Sequence, residues 1–532
     1  MNLPYATEIK QNIEYVQQFT GYNHNLRTEQ SDFFDMKNMS LDHYPVISTR
    51  QGEDDKFVMD GTPNGLWEYA SDTLMAVSGN QLRVGITTTS AGEIVPNSST
   101  LLSDSEKSFA TIDAFTVIMP DKVVYDAYNN TLSPIVRNYS SGEYDGQYLI
   151  MQIVPCNVDG ESLDYESGSS EPSDTTKVWY DTNTNVYKIY NADTNTWVQM
   201  DTTFVKMIPR ISASDTAYVP PEELDTNAVD DRQAISDFFK GLTDYDSVTY
   251  AGEADREAEF EDYVVYKVGE EDGICFLVLA AIMEASCTEF TIRTKCPDLN
   301  HLVALNNRVW GVSNSTHEVF ACKLGDPFQW FNYAGIASDS YAVTLGFTDE
   351  VTAGVAYNNY VYFFTEDKVI KFYGDYPSNF RMHTTKADGV VKGGHDAVVQ
   401  VEGVLFYVSP IGVMAFDGSL PRFYGEKFAP DYLNGKKVVA GKDGTKYCLS
   451  VSRNGVSDGV FVLDTKHRLW TVGGDQIYLK TAELGNALCF INDSGHLVTL
   501  YDRMRDTDRM MEVFSNLFDM DEREEGSFNG DS

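Results

Sequence analysis

GVAYNNYVYFFTEDKVIKFYG, residues 354–374, sets apolar runs of about four residues between turns rich in Asn, Asp and Gly. Tyr, Phe and Val suit a pleated, half-buried surface, and Asn358-Asn359 suits a hairpin turn with positive φ. The phrase returns in LVALNNRVWGVSNSTHEVFACKLGD (302–326) and VVQVEGVLFYVSPIGVMAFDG (398–418). It returns again in VVAGKDGTKYCLSVSRNGVSDGVFVLDTKHRLW (438–470) and AELGNALCFINDSGHLVTLYD (482–502). Shorter versions stand at LMAVSGNQLRVG (74–85) and FTVIMPDKVVYD (115–126). From residue 302 the recurrence is every ~40–50 residues, the period of a four-stranded propeller blade. The expectation is an all-β chain whose body is β-propeller-like, with about seven blades. Meanders stacked as sandwiches produce the same local pattern and stay open as the alternative.

Composition agrees. The 532 residues include 32 Tyr, 29 Phe and 39 Gly but only 17 Pro, as strands joined by tight turns require. Hydrophobic residues make up 42%, enough for a sizeable core, and the length exceeds what one core serves. Eighty Asp and Glu against 40 Lys and Arg leave a net charge of −40. Affinity for duplex DNA depends on basic residues displacing counterions, so sequence-specific nucleic-acid binding is not expected. An acidic lumen along which DNA slides without sticking is compatible with this charge.

The opening MNLPYATEIKQNIEYVQQF lacks the basic and apolar regions of a secretory signal. No apolar run reaches membrane-spanning length, and GICFLVLAAIMEASC (273–287) reads as a buried strand or helix. Cys156, Cys275, Cys287, Cys296, Cys322, Cys448 and Cys489 are dispersed without a C-x-x-C pair. Reduced thiols in a chain made in the cytoplasm are expected, and no structural zinc.

Five regions follow from the pattern. Residues 1–56 read as an N-terminal arm and strand unit, with a short helix over 7–19. Residues 57–139 hold the first blades, 140–290 an inserted α+β lobe, and 291–502 the remaining blades. Residues 503–532 read as a C-terminal helix and acidic tail, because Met504, Met510, Met511, Val513, Phe514, Leu517 and Phe518 stand partly at helical spacing. Within the lobe, KVWYDTNTNVYKIYNADTNTWVQM (177–200) reads as alternating strands turning at 181–185 and 191–196. VPPEELDTNAVDDRQAISDFFKGL (219–242) reads as a helix whose apolar side carries Ile235, Phe238 and Phe239.

Catalytic patterns are scarce. H-E-x-x-H, a P-loop and G-x-G-x-x-G are missing from the sequence. Gly455-Val456-Ser457-Asp458-Gly459 matches G-x-S-x-G, but a hydrolase elbow needs a helix after it, and strand-like VFVLD follows. His24, His43, His301, His317, His383, His395, His467 and His496 stand singly, none at ligand spacing. Asp244/Asp246 and Glu270/Glu271/Asp272 read as solvated turns. Asp181, Asn183 and Asn185 begin like a calcium loop, but Val186 occupies the glycine position, and a plain turn fits better. The hairpin also resembles a neuraminidase Asp-box only loosely: Asp193 and Trp197 are too close together, and the glycine is missing. No catalytic, cofactor-binding or metal-binding residue is assigned, and the chain is expected not to be an enzyme.

Several phrases resemble a family from tailed bacteriophages and prophages of Gram-positive gut bacteria, known mostly as tail or minor structural proteins. The likeness begins at NMSLDHYPVISTRQG (38–52) and continues in FTVIMPDKVVYD, where Pro120-Asp121-Lys122 forms the turn. Its most specific part is NNRVWGVSNSTHEVFACKLGDPFQWFNYAGIASDSYAV (306–343), with NRxWG, LGDP plus an aromatic, and DSYA in the family's order. FFTEDKVIKFYGDYPSNF (363–380) and LFYVSPIGVMAFDGSLP (405–421) follow in the same order. The resemblance implies a virion protein of tail or neck, similar to the propeller-bearing hub or nozzle proteins of short-tailed phages. It implies a homo-oligomeric ring, with six copies by analogy, interlocking termini and other tail or neck proteins as partners. A receptor- or glycan-binding tail protein is the alternative, and would present Trp179, Tyr180 and Trp197 on one exposed face.

Overall fold

A computed structural model describes residues 18–501 and 512–515, apart from 26–27, 29–30, 47, 51, 145, 201–202, 215–216, 219–223, 253–260, 283–289 and 430. Regular structure in them is overwhelmingly β, divided among many small sheets. Six four-stranded sheets, within 63–94, 108–134, 301–344, 353–386, 399–423 and 437–474, hydrogen-bond their strands in chain order. A seventh joins Tyr478–Leu484, Ala487–Asn492 and His496–Tyr501 to Gly52–Val58, which lies antiparallel to His496–Tyr501. The Asn pairs serve their turns as expected: Asn306 and Asn307 have φ of 52° and 56°, Asn358 and Asn359 of 49° and 63°. Short polar side chains tolerate this left-handed region where branched ones do not.

The chain forms two compact units. One comprises 1–108, 349–372 and 382–532. Its sheets stack face to face in chain order. Phe364 and Val369 pack on Leu405 and Phe416; Phe406 and Val413 on Leu449 and Phe461; Val439 and Cys448 on Leu488 and Phe490; Leu484 and Ile491 on Leu66 and Leu74. First strands adjoin first strands: Val399–Val401, Lys437–Asp443, Tyr478–Leu484 and Pro63–Ala70 lie side by side in that order. Thr481 Oγ1 donates to the Ala440 carbonyl at 2.6 Å. A Cβ on neighbouring Gly441 would stand 2.2 Å from Leu488 Cδ1, so this approach requires glycine.

The other unit comprises 109–348 and 373–381. Here the sheets within 108–134 and 301–344 share one core of Val117, Val124, Val309, Phe320 and Trp330. Residues 138–294 build a nine-stranded sheet and a separate four-stranded one. Within the latter, Tyr165–Gly168 runs parallel to Val178–Asp181, and Val186–Asn191 and Thr196–Gln199 complete the expected hairpins. The expected helix is Thr226–Lys240, capped by the Asp225 carboxylate on Asn227 N and Ala228 N. Its buried Ala228, Ile235, Phe238 and Phe239 meet Leu149, Val205 and Leu277 of the large sheet. The apolar stretch after Gly273 is the fully buried strand Ile274–Leu279.

Two expectations need correction. Gly52–Val58 straddles the boundary set at residue 56 and belongs to the seventh sheet, because it supplies the ladder that His496–Tyr501 lacks. The C-terminal segment contains the strand Glu512–Ser515, antiparallel to Phe33–Lys37, where a helix was expected. A run this short satisfies both periodicities, and an available strand edge decides between them. Of the helix expected over 7–19, residues 18 and 19 are not helical and 7–17 lie outside the described residues, as do 503–511 and 516–532.

Candidate functional site

Among the described residues, one group of His, Cys, Asp or Glu side chains converges closely enough to hold a metal ion: Glu106, His395 and Asp396. Glu106 lies in the lead-in to strand Ser108–Ile112. That lead-in is pinned by the Lys107 ammonium, which donates to Ser103 O at 2.8 Å and Ser105 Oγ at 3.0 Å. His395 and Asp396 belong to a short 3-10 turn, His395–Ala397, just before strand Val399–Val401. The turn is held from behind by Tyr447, whose hydroxyl donates to Ala397 O at 2.9 Å. Lys480, on the first strand of the seventh sheet, reaches into the group with a side chain only 9% exposed.

Lys480 Nζ donates to Asp396 Oδ2 at 2.6 Å and also to Glu106. His395 Nε2 stands 3.4 Å from Glu106 Oε1 and 3.6 Å from Asp396 Oδ2. The His395 hydrogen bond holds Glu106 far below the usual carboxylate range; burial opposes this, and the Lys480 charge reinforces it. Burial disfavours the His395 imidazolium, but the Glu106 hydrogen bond and the Asp396 charge outweigh it and raise the histidine above its ordinary value. Burial likewise opposes the Lys480 ammonium, and the two carboxylates again prevail. Two carboxylates thus face the Lys480 ammonium and the His395 imidazole, and the ammonium is paired with both carboxylates.

The sequence had placed these residues apart. A lone histidine at 395 carries no local sign of a glutamate and a lysine brought in from distant sheets, and only the fold assembles them.

Other candidates resolve differently. Asp246 is no solvated turn: it has no exposed surface, and it accepts from Thr243 N at 2.6 Å and from Asn332 Nδ2. Burial raises its pKa. Glu271 is tied to Lys206 and, at 2.9 Å, to Arg210. Glu270 and Asp272 are exposed. Asp181 accepts from Asn183 N at 3.0 Å, Thr184 Oγ1 at 2.8 Å and Lys188 Nζ at 2.5 Å, which makes a turn with its own cation and no calcium cradle. Ser457 lies on the strand Val456–Asp464, after the hairpin turn Asn454-Gly455, and its Oγ accepts from Gly459 N at 3.1 Å. No helix follows it, so the serine is not an elbow nucleophile. Trp179 and Tyr180 are buried, and the Trp179 indole donates to Gly168 O at 2.9 Å. The exposed aromatic face that a glycan-binding reading asks for is therefore not formed by these residues. Six cysteines (156, 275, 296, 322, 448 and 489) are free thiols.

The phrases within 306–343 fall on one piece of scaffold. Arg308 of NRVWG is 2% exposed and donates to Cys322 O and Ala337 O, each at 2.7 Å, and to Asp339 O. Asp339 of DSYA accepts from Gly335 N at 2.6 Å and Ile336 N at 3.1 Å. Trp310 and Tyr341 pack ring to ring at 5.9 Å, and Trp330, wholly buried, donates to Pro327 O at 2.9 Å. These residues fasten the long loop between Glu318–Ala321 and Tyr341–Thr344 to its sheet.

No known family model matches the chain, and no curated protein matches it. Among solved structures it is similar to apo AztD from Citrobacter koseri, at 10% identity over 78% of this chain and 87% of that one, TM-score 0.31. It is similar to BamB from Moraxella catarrhalis, at 11% identity over 70% and 99%, TM-score 0.26. It is also similar to the extracellular domain of the one-component system BT4673 from B. thetaiotaomicron, at 10% identity over 91% and 74%, TM-score 0.25. At such scores the likenesses carry no inference about function. Among the described residues no helix is long and apolar enough to cross a membrane.

Proposed function

We propose that the chain is a structural, non-enzymatic component of a tailed-phage virion, a hub, nozzle or neck ring through which DNA passes. The observation that carries this reading is the ordered phrase set NRxWG, LGDP and DSYA, whose residues interlock as scaffold around Arg308. We read the seven four-stranded sheets as blades about a common axis. Three features support that: first strands adjoin first strands, an N-terminal strand completes the last sheet, and Glu106, His395 and Lys480 meet from segments far apart in the chain. Propellers built this way leave only short, protected edges.

We place the DNA conduit in a ring of several copies, with acidic faces towards the genome. Six copies, with the termini as interlocking arms, remain the expected order. Peptide mass spectrometry of purified particles tests the assignment. The reading expects the chain in the tail or neck fraction at several copies per particle; particles without it would refute the reading.

A further inference from the structure

Glu106, His395, Asp396 and Lys480 come from the lead-in to strand Ser108–Ile112, the turn before Val399–Val401 and the strand Tyr478–Leu484. Side-chain contacts join these segments at this point. The Nε2 of His395 faces oxygens of two different carboxylates, at 3.4 and 3.6 Å. That nitrogen must carry a hydrogen to donate to either carboxylate, and it attracts both more strongly in an imidazolium than in a neutral ring. We propose that this quartet is a proton-operated latch: with His395 protonated it fastens three separate segments of the unit, and with the proton lost the fastening loosens.

The charged groups facing His395 are Glu106 from the first segment, Asp396 from its own turn and Lys480 from the third. Protonated, the group is balanced at two anions and two cations. Deprotonated, it carries one uncompensated negative charge among half-buried side chains, a cost that solvent moderates because the Glu106 side chain is 57% exposed. A histidine whose folded pKa is raised contributes stability in full below its unfolded value of about 6.5, and loses it as pH rises through the folded value. Glu106 acts oppositely: its depressed folded pKa contributes stability above about 4.3, lost only in strong acid. The latch therefore holds in full below the ordinary histidine value and weakens as pH rises through the raised folded value. This inference stands on the geometry of one unit and does not depend on the virion reading.

The test uses the full chain and the variants His395→Gln, Glu106→Gln and Lys480→Met. Glutamine keeps a neutral donor and removes the proton. Wild type should melt higher than His395→Gln below the ordinary histidine value, and the gap should close as pH rises through the raised folded value. In carbon-13 histidine spectra of the wild type, the resonance absent from His395→Gln should titrate above about 6.5. It should move up in Lys480→Met, where a repelling cation is gone, and down in Glu106→Gln. Hydrogen exchange in 399–401 and 478–484 should quicken across the same titration. A melting gap constant with pH, or a ring titrating at or below the ordinary histidine value, would overturn the latch. Should His395→Gln fail to fold, the response of the wild-type histidine signals to Lys480→Met and Glu106→Gln decides alone.

Discussion

A carboxylate without exposed surface persists only where its lone pairs are answered, and Asp246 is answered by Thr243 and Asn332. The Asn332 amide also donates to Asp244 O at 3.0 Å, so one side chain serves a buried acid and a turn carbonyl together. Asn332→Ala should cost about 1–3 kcal/mol, the range for leaving a buried polar group short of a partner. Glu270→Ala, on an exposed side chain, should stay within about 0.5 kcal/mol. Thermal or denaturant melting of the two variants checks the contrast, and equal effects would mean that the Asp246 network contributes little. At this scale the sequence revealed what is local. The Asn pairs declared positive φ, and Ile235, Phe238 and Phe239 declared a helix face. It could not reveal that Asp246 is buried, because its partner lies 86 residues on. His395 was opaque for the same reason.

Elements were readable wherever turn and strand signals sit within a few residues, as in 353–386 and 437–474. They were unreadable where pairing is remote. Gly52–Val58 contains GEDDK, which looks like a solvated arm until His496–Tyr501 is set beside it. The insertion is a different case. Strands Asn138–Ser140 and Phe290–Thr294 pair antiparallel, bringing its two ends together, and its core draws only on residues inside it. Chain ends that meet at the surface are what an independently folding insert requires. A fragment of 138–294 expressed alone should give dispersed NMR signals and a cooperative melt. A fragment that collects as a molten or aggregated species would place its stability in the surrounding sheets.

Over the whole chain, −40 of net charge must be accommodated wherever copies meet. Self-repulsion of this size opposes association, and salt screens it over about 8–10 Å at physiological ionic strength. Ring formation should therefore strengthen with salt, read as mass by light scattering across a salt series; a monomer under every condition would argue against the ring. The measurement that bears most directly on the central claim, seven blades in a virion component, is a cryo-electron reconstruction of the assembled particle. The account predicts copies of this chain encircling the DNA path, each with seven four-stranded sheets around its own axis and the 138–294 lobe outside them. Stacked sandwiches with no axis would contradict the fold, and a particle with no density for the chain would contradict the function.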